Sequence, residues 1–216
     1  MKRQTLLLNM MSAMLDVLGP SHWWPAVTPF EVAVGAVLTQ NTNWSNVERA
    51  IANLKADGTF DAASLAALSD AALAERIRPA GYFRLKARRL KNLLAMLLDT
   101  CDGDITRLAG GDMETVRQQL LAVSGVGPET ADSILLYALG YPSFVADAYT
   151  ARICHRHALT PEDADYETLR MFFMEGLPED VALYNEFHAL LVRVGNAWCR
   201  PRAPKCRECP LERFLS

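Results

Sequence analysis

Two segments in the second half of the chain combine residue types that could do chemistry. The first, Ser124-Gly-Val-Gly-Pro128, places two glycines and a proline between two stretches of helical periodicity. Glycine opens backbone conformations closed to other residues, and proline suits the first turn of a helix. The loop amides and the helix N-terminus together predict a site for an anion such as a DNA phosphate. The alternative is an ordinary tight turn between packed helices.

The second segment contains Asp147, a single carboxylate between the apolar Phe144-Val-Ala and a helical run. This aspartate could cap the helix predicted to begin near Ala148. It could also face the polyanion held by the glycine loop. The two roles are compatible, so the sequence leaves both open.

Three of the five cysteines form a C-x6-C-x2-C pattern at Cys199, Cys206 and Cys209. An odd number of cysteines does not indicate a disulfide framework, and this clustering indicates a metal site. We do not expect Cys101 or Cys154 to join it.

Apolar residues recur at three- and four-residue intervals along most of the chain, which predicts helices. These helices must position the segments described above. Convincing alternating strand patterns are absent, which predicts an all-α fold with short connections. An amphipathic helix is expected at the N-terminus. Further helical windows lie at 30–38, 47–54, 65–77, 84–98, 113–123, 129–139, 148–159, 166–175 and 181–194.

The composition bounds the possible functions. Half of the 216 residues are apolar, which indicates a globular protein, and no apolar run is long enough to cross a bilayer. Asp16 interrupts the first apolar stretch, so we expect a cytoplasmic protein without a signal peptide. The net charge of −3 argues against non-specific polyanion binding but permits a local basic face.

Residues 120–156, LLAVSGVGPETADSILLYALGYPSFVADAYTARICHR, resemble the helix–hairpin–helix and aspartate of the endonuclease III superfamily of DNA glycosylases. The similarity extends to 30–54, 77–93 and the C-terminal cysteines. It implies a two-lobed, all-α HhH-GPD fold. A helical barrel at 28–138 would end in the helix–hairpin–helix (113–138). The second lobe would combine 1–27 with 139–216 and carry the cysteine loop, 199–209, with the active site in the cleft.

The resemblance implies an N-glycosylase that flips a damaged base out of double-stranded DNA. Asp147 would be the catalytic carboxylate, stabilising the positive charge that develops on the deoxyribose. Bifunctional relatives place a lysine after the hairpin, where it forms a Schiff base with the sugar and leads to strand cleavage. Glu129 stands at that position and cannot form one. This difference predicts a monofunctional enzyme that leaves an intact abasic site.

Within the superfamily, the chain is most similar to the third class of 3-methyladenine DNA glycosylases. The shared features are the glutamate after the hairpin, a WWP segment (23–25) and a GAVLTQNT segment (35–42) followed by an aromatic residue. The implied base pocket contains Trp23, Trp24, Pro25, Trp44 and Glu129. Aromatic faces would attract a cationic alkylated purine. Core packing is the alternative for the tryptophans, and of the adjacent pair we expect Trp24 to face the pocket.

The same resemblance implies a set of DNA contacts. Gln40 would fill the gap left by the flipped nucleotide, and the basic run from Arg78 to Lys91 would contact phosphates. A helix C-cap and a solvated helix face are the respective alternatives. The expected DNA-binding residues are Gln40, Asn41, Gly81, Tyr82, Arg84, Lys86, Gly125, Val126, Gly127 and Thr130.

Many relatives carry a fourth cysteine five residues after the third and bind a [4Fe–4S] cluster. Here that position is Leu215. Three interpretations stay open: a cluster on three cysteines, a relic of a lost cluster, or zinc bound by three cysteines and a histidine. His188 is the nearest histidine in sequence. A cluster would be structural, shaping a basic loop that touches DNA.

The preferred function is therefore hydrolysis of alkylated purines such as 3-methyladenine, by a monomer acting on damaged duplex DNA. One alternative is an endonuclease III-like glycosylase and AP lyase for oxidised pyrimidines. Another is a non-catalytic damaged-DNA-binding module. Asp147 argues against a pure binder, because a negative charge near phosphates weakens binding.

Overall fold

The computed structural model describes residues 2–21, 23 and 26–215, which form two compact units. We call residues 26–141 the hairpin unit, and residues 1–25 with 142–216 the aspartate unit. Every regular element in the described residues is helical, which confirms the all-α prediction. None of these helices is long and apolar enough to cross a membrane.

The described helices are, in chain order, α1 (Arg3–Leu18), α2 (Pro29–Leu38), α3 (Trp44–Lys55), α4 (Ala62–Ala67), α5 (Asp70–Arg76), α6 (Phe83–Cys101), α7 (Met113–Leu121), α8 (Pro128–Ser133), α9 (Ala148–Arg156), α10 (Tyr166–Met174) and α11 (Val181–Ala197). A π-helical turn, Ile134–Ala138, continues α8. Short 3-10 turns lie at Arg78–Ala80, Ile105–Leu108, Cys206–Glu208 and Glu212–Phe214.

Helix α2 forms the centre of the hairpin unit. Thr28 caps the start of this helix by accepting a hydrogen bond from the Glu31 amide. Pro29 occupies the first turn, where a proline is well tolerated. All of residues 31–38 are buried, as expected for a helix that is apolar on every side. The segment 39–41 therefore emerges from the end of the most enclosed element.

The helix predicted at 65–77 is two helices, α4 and α5. Leu68 has an extended backbone with ψ of 144°, and Ser69 caps α5 by accepting the Ala72 amide at 3.2 Å. The cap favours a new helix start over continuation of the apolar periodicity.

An aromatic cluster organises the aspartate unit. Phe144 stacks on Phe173 with ring centroids 4.1 Å apart and meets Tyr184 and Phe187 edge-on. This buried anchor lies three residues before Asp147, so it fixes the start of α9. Helices α9 and α11 approach so closely that a Cβ at Gly195 would lie 2.4 Å from the Tyr149 ring.

Candidate nucleic-acid interface and active-site residues

Lys86, on α6, is buried inside the hairpin unit. Its Nζ donates hydrogen bonds to the carbonyl oxygens of Leu38 at 2.8 Å and Ala80 at 2.7 Å. Burial, with the nearby charge of Arg89, lowers the pKa of Lys86 to about 8. The prediction that Lys86 contacts DNA phosphate is wrong, because its ammonium is enclosed and joins the end of α2 to the turn before Gly81.

Gln40 lies against the hairpin loop. Its Nε2 donates to the Gly125 carbonyl at 3.1 Å and to Thr130 Oγ1 at 3.0 Å. Its Oε1 accepts a hydrogen bond from Arg89. The amide therefore fixes the end of α2 against the hairpin, and Thr130, itself buried, is part of that support.

One face of α6 positions three predicted DNA-contacting segments. Lys86, Arg89 and Asn92 recur at three-residue intervals, which places them on the same side of the helix. Lys86 holds the turn at 78–80, Arg89 holds Gln40, and Asn92 donates to the Ser124 carbonyl at 2.9 Å. The structure thus brings the segments 38–41, 80–82 and 124–127 together within one unit.

The two hairpin glycines have different roles. Gly125 has a φ of +99°, and a Cβ there would lie 2.3 Å from Arg89 Cγ, so both backbone and space require glycine. Gly127 has an ordinary φ of −94°, and its missing side chain leaves open space beside the start of α8. The Val126 side chain is buried and its amide donates to the Val123 carbonyl, so the expected DNA contact cannot come from that amide.

A buried ion pair holds the two hairpin helices together. Arg117 on α7 donates to Asp132 on α8 from Nε at 2.9 Å and from a terminal nitrogen at 3.1 Å. Their side chains are 7% and 0% exposed. This bidentate geometry fixes α8, and with it the hairpin, against α7.

The segments 38–41 and 80–82, with the start of α6, present residues that have a left-handed backbone or are exposed. Asn41 and Tyr82 are exposed and have left-handed φ values of 54° and 43°. The Tyr82 side chain is 70% exposed, and Arg84 is also exposed. Left-handed non-glycine residues often mark functional sites, so Asn41 and Tyr82 are candidates for direct contact with a partner. Arg84 is a candidate because its charge is exposed.

Among the predicted base-pocket residues of the hairpin unit, Glu129 is exposed in the first turn of α8. Trp44 is half-buried against the core, and its Nε1 donates to Glu48 at 2.9 Å. Trp44 therefore serves at least partly as a core residue.

Of the predicted tryptophan pair, the structure describes Trp23, which lies in the aspartate unit. Trp24 and Pro25 fall outside the described residues. The Trp23 backbone amide donates to Ser21 Oγ at 3.3 Å, and Glu186 in turn binds Ser21. This places Trp23 on a segment anchored to α11.

Asp147 caps α9, as the capping interpretation predicted. Its carboxylate accepts hydrogen bonds from the Thr150 amide at 2.8 Å and from the Thr150 hydroxyl at 3.0 Å. Its other oxygen lies 3.7 Å from His188 Nε2. Burial alone would raise the pKa of Asp147, but the neighbouring His188 and the hydrogen bonds from Thr150 bring it below the usual value. A buried carboxylate is thus kept ionised.

The three C-terminal cysteines line one small pocket that opens to solvent. Arg156 donates to Cys199 Sγ at 3.3 Å, and the Leu211 amide donates to Cys209 Sγ at 3.5 Å. Burial raises the pKa of Cys209, and the neighbouring Cys199 and Cys206 raise it further. The pocket is lined by Arg156, His157, Trp198, Cys199, Cys206, Cys209, Glu212 and Leu215.

The other sulfur and histidine candidates lie elsewhere. Cys154 is fully buried outside the pocket lining, and burial raises its pKa to about 12, while Cys101 belongs to the hairpin unit. His188, considered as a zinc ligand, is not in the lining because α11 directs it towards Asp147. The histidine at the cysteines is His157.

Sequence reasoning missed His157 at the cysteine pocket, the contact of His188 with Asp147 and the inward role of Arg89. Arg89 lies three residues after Lys86 and three before Asn92, so the helical periodicity of α6 could have predicted that Arg89 points to a different side from the exposed Arg84 and Arg88. His157 and His188 carried no local signal, because their partners are distant in sequence.

Comparison with known proteins agrees with this architecture. Residues 34–179 match the HhH-GPD superfamily of base excision DNA repair proteins. A provisionally named DNA repair glycosylase of Methanocaldococcus jannaschii is 45% identical, with 93% of this chain and 91% of that protein covered. An endonuclease III in complex with DNA shares the fold, with a TM-score of 0.85, 24% identity, and 100% and 95% coverage of the two chains. The H. pylori 3-methyladenine DNA glycosylase bound to 1,N6-ethenoadenine gives a TM-score of 0.76 at 28% identity, covering 91% of this chain and 98% of that one.

Proposed function

Because the chain belongs to the HhH-GPD superfamily of base excision DNA repair proteins, we propose that this DNA glycosylase is monofunctional and releases alkylated purines such as 3-methyladenine. The observation that carries the proposal is Glu129, exposed where bifunctional relatives have their lysine. The reaction is hydrolysis: water attacks the sugar carbon, the base departs, and an intact abasic site remains.

The distribution of lysines supports the monofunctional part of the proposal. The sequence contains no lysine between Lys91 and Lys205, a span that includes the whole hairpin and Asp147. Lys86 and Lys91 bind backbone carbonyls through Nζ. A Schiff base needs an accessible neutral amine, and these two ammonium groups are committed to structural hydrogen bonds.

Asp147 is proposed as the group that stabilises the transition state. Cleavage of the N-glycosidic bond builds positive charge on the sugar, and a fixed anion lowers its energy. His188 and Thr150 hold the carboxylate ionised and oriented. The same carboxylate can orient the water or accept its proton.

An alkylated purine fits these residues chemically. Such a base is cationic and departs easily, so it needs little acid catalysis. Tryptophan faces attract cations, and an anionic Glu129 adds negative potential. The similarity to the 3-methyladenine DNA glycosylase of H. pylori supports this substrate class.

DNA binding is assigned to the hairpin unit. The open space at Gly127 lets a phosphate approach the backbone, and the exposed Arg84 supplies charge. Tyr82 and Asn41 lie on neighbouring segments and would meet the duplex next to the phosphate contact.

A [4Fe–4S] cluster is proposed for the cysteine pocket. The three thiols surround a cavity, and N–H groups point at two of the sulfurs, as is common around iron–sulfur clusters. The choice of a cluster over zinc follows the C-x6-C-x2-C spacing, which resembles that of cluster-binding relatives. The cluster would shape the loop 199–209 and take no part in base release.

The test is base release from two duplexes, one with 3-methyladenine and one with thymine glycol, each with and without borohydride. The proposal expects methyladenine release with no trapped protein–DNA adduct. Glu129→Gln is the matched control and should also give no adduct. An adduct on thymine glycol would identify a bifunctional endonuclease III-like enzyme instead. Binding without release of either base would favour the damage-binding alternative.

A further inference from the structure

The cysteine pocket has three cysteines, and a fourth cluster ligand would have to come from one of its other lining residues. Leu215 lines the pocket at the position where relatives with four cysteines have the last one, and its hydrocarbon side chain cannot bind iron. Of the other lining residues, Arg156 carries a permanent positive charge and already donates to Cys199. Glu212 and His157 are the remaining side chains with a lone pair to offer.

His157 has the environment expected of a metal ligand. It is 7% exposed, and its Nδ1 lies 3.1 Å from the carbonyl oxygen of Phe214. A carbonyl can only accept a hydrogen bond, so Nδ1 carries a proton, and in the neutral imidazole Nε2 then keeps its lone pair. Metal-bound histidines almost always donate their other ring N–H to a carbonyl or carboxylate in this way.

The hydrogen bond also locates the imidazole. Phe214 directly precedes Leu215, so the ring is fixed to the backbone beside the position of the absent cysteine. Glu212, by contrast, is exposed. A water-facing carboxylate is held less firmly than a buried imidazole whose tautomer is set.

We propose that His157 Nε2 is the fourth ligand of the iron–sulfur cluster, which gives a Cys3His site with Cys199, Cys206 and Cys209. The inference rests on the proposed cluster and is independent of the damaged base that the enzyme removes. Replacing a thiolate by a neutral imidazole makes the cluster one negative charge less anionic. The cluster should therefore be easier to reduce than a four-thiolate cluster in the same loop.

The experiment compares the full chain with three variants after anaerobic reconstitution with iron and sulfide. His157→Ala removes the ligand. Leu215→Cys in the His157→Ala background restores a fourth thiolate. His155→Ala is the matched control, because His155 lies two residues before His157, at the end of α9, but is half exposed and lies 3.8 Å from Glu162. Bound iron, sulfide and the electron paramagnetic resonance spectrum are measured, with circular dichroism to verify folding.

The wild type and His155→Ala should bind four irons per chain. Pulsed resonance of the reduced cluster should show coupling to an imidazole nitrogen. His157→Ala should lose that coupling and, after mild oxidation, lose one iron to give a three-iron cluster. The added cysteine should restore four irons without the nitrogen coupling, which separates ligation from folding.

Three results would overturn the proposal. The first is a wild-type cluster without nitrogen coupling that His157→Ala leaves unchanged. The second is a wild type that takes up zinc or no metal while only the Leu215→Cys variant builds a cluster. The third is a His157→Ala protein that folds but stays empty even with the added cysteine. None of these readouts depends on base release, so the proposed glycosylase function stands or falls separately.

Discussion

Breaking the buried ion pair of the hairpin should destabilise the protein strongly. Asp132→Asn keeps the shape of the side chain but leaves the Arg117 guanidinium, 7% exposed, without its carboxylate. The loss of one partner of a buried pair costs about 3–5 kcal/mol. For a chain of this length, about 1 kcal/mol corresponds to about 2–4 °C, so Tm should fall by roughly 6–20 °C.

The assay is thermal and urea unfolding followed by circular dichroism. The double variant Arg117→Met/Asp132→Leu should lose less stability than the worse single variant, because it removes both buried charges and fills the space. Asp57→Asn is the control, since Asp57 pairs with Arg76 at the surface and is 61% exposed. That change should cost less than about 1 kcal/mol.

The reasoning about the hairpin would be refuted by either of two results. One is an Asp132→Asn variant within about 1 kcal/mol of the wild type. The other is a double variant whose loss equals the sum of the single losses, because additivity would mean that the two side chains do not interact.

Three further predictions concern the site. His188→Asn should raise the pKa of Asp147, since it removes the neighbouring side chain that lowers this pKa. In the proposed mechanism base release needs the ionised carboxylate, so the acid limb of the pH–rate profile should move to higher pH. Gly125→Ala should weaken DNA binding and lower Tm, because a Cβ would meet Arg89 and the φ of +99° is strained; unchanged affinity and Tm would contradict this. Arg84→Ala should reduce the salt slope of DNA binding by about 0.9, whereas Lys86→Met should leave the slope unchanged and lower Tm. Equal slope changes would mean that Lys86 does reach the DNA.

Local signals were enough to predict parts of the site. Proline at position 128 and an aspartate before an apolar run fixed the starts of α8 and α9, because caps act within a few residues. The break at Ser69 carried a similar signal, but the continuous apolar periodicity concealed it.

The positions of Lys86 and His157 depend on long-range packing and could not be predicted from the sequence. The basic run on α6 suggested uniform contact with phosphate, yet the carbonyl oxygens of Leu38, at the end of α2, and Ala80 hold Lys86 inside, while Arg84 is exposed. His157 meets the cysteine pocket through Phe214, 57 residues away in sequence. Such pairings depend on how the helices pack and not on any spacing along the chain.

The most direct test of the account is the single-turnover release of 3-methyladenine from duplex DNA by the wild type and by Asp147→Asn. Asparagine also caps helices well, so the variant keeps α9 and removes only the charge. We expect the rate to fall by about 10²–10³-fold while DNA affinity is unchanged or tighter. An Asp147→Asn protein that releases the base at the wild-type rate would show that this carboxylate does not stabilise the transition state.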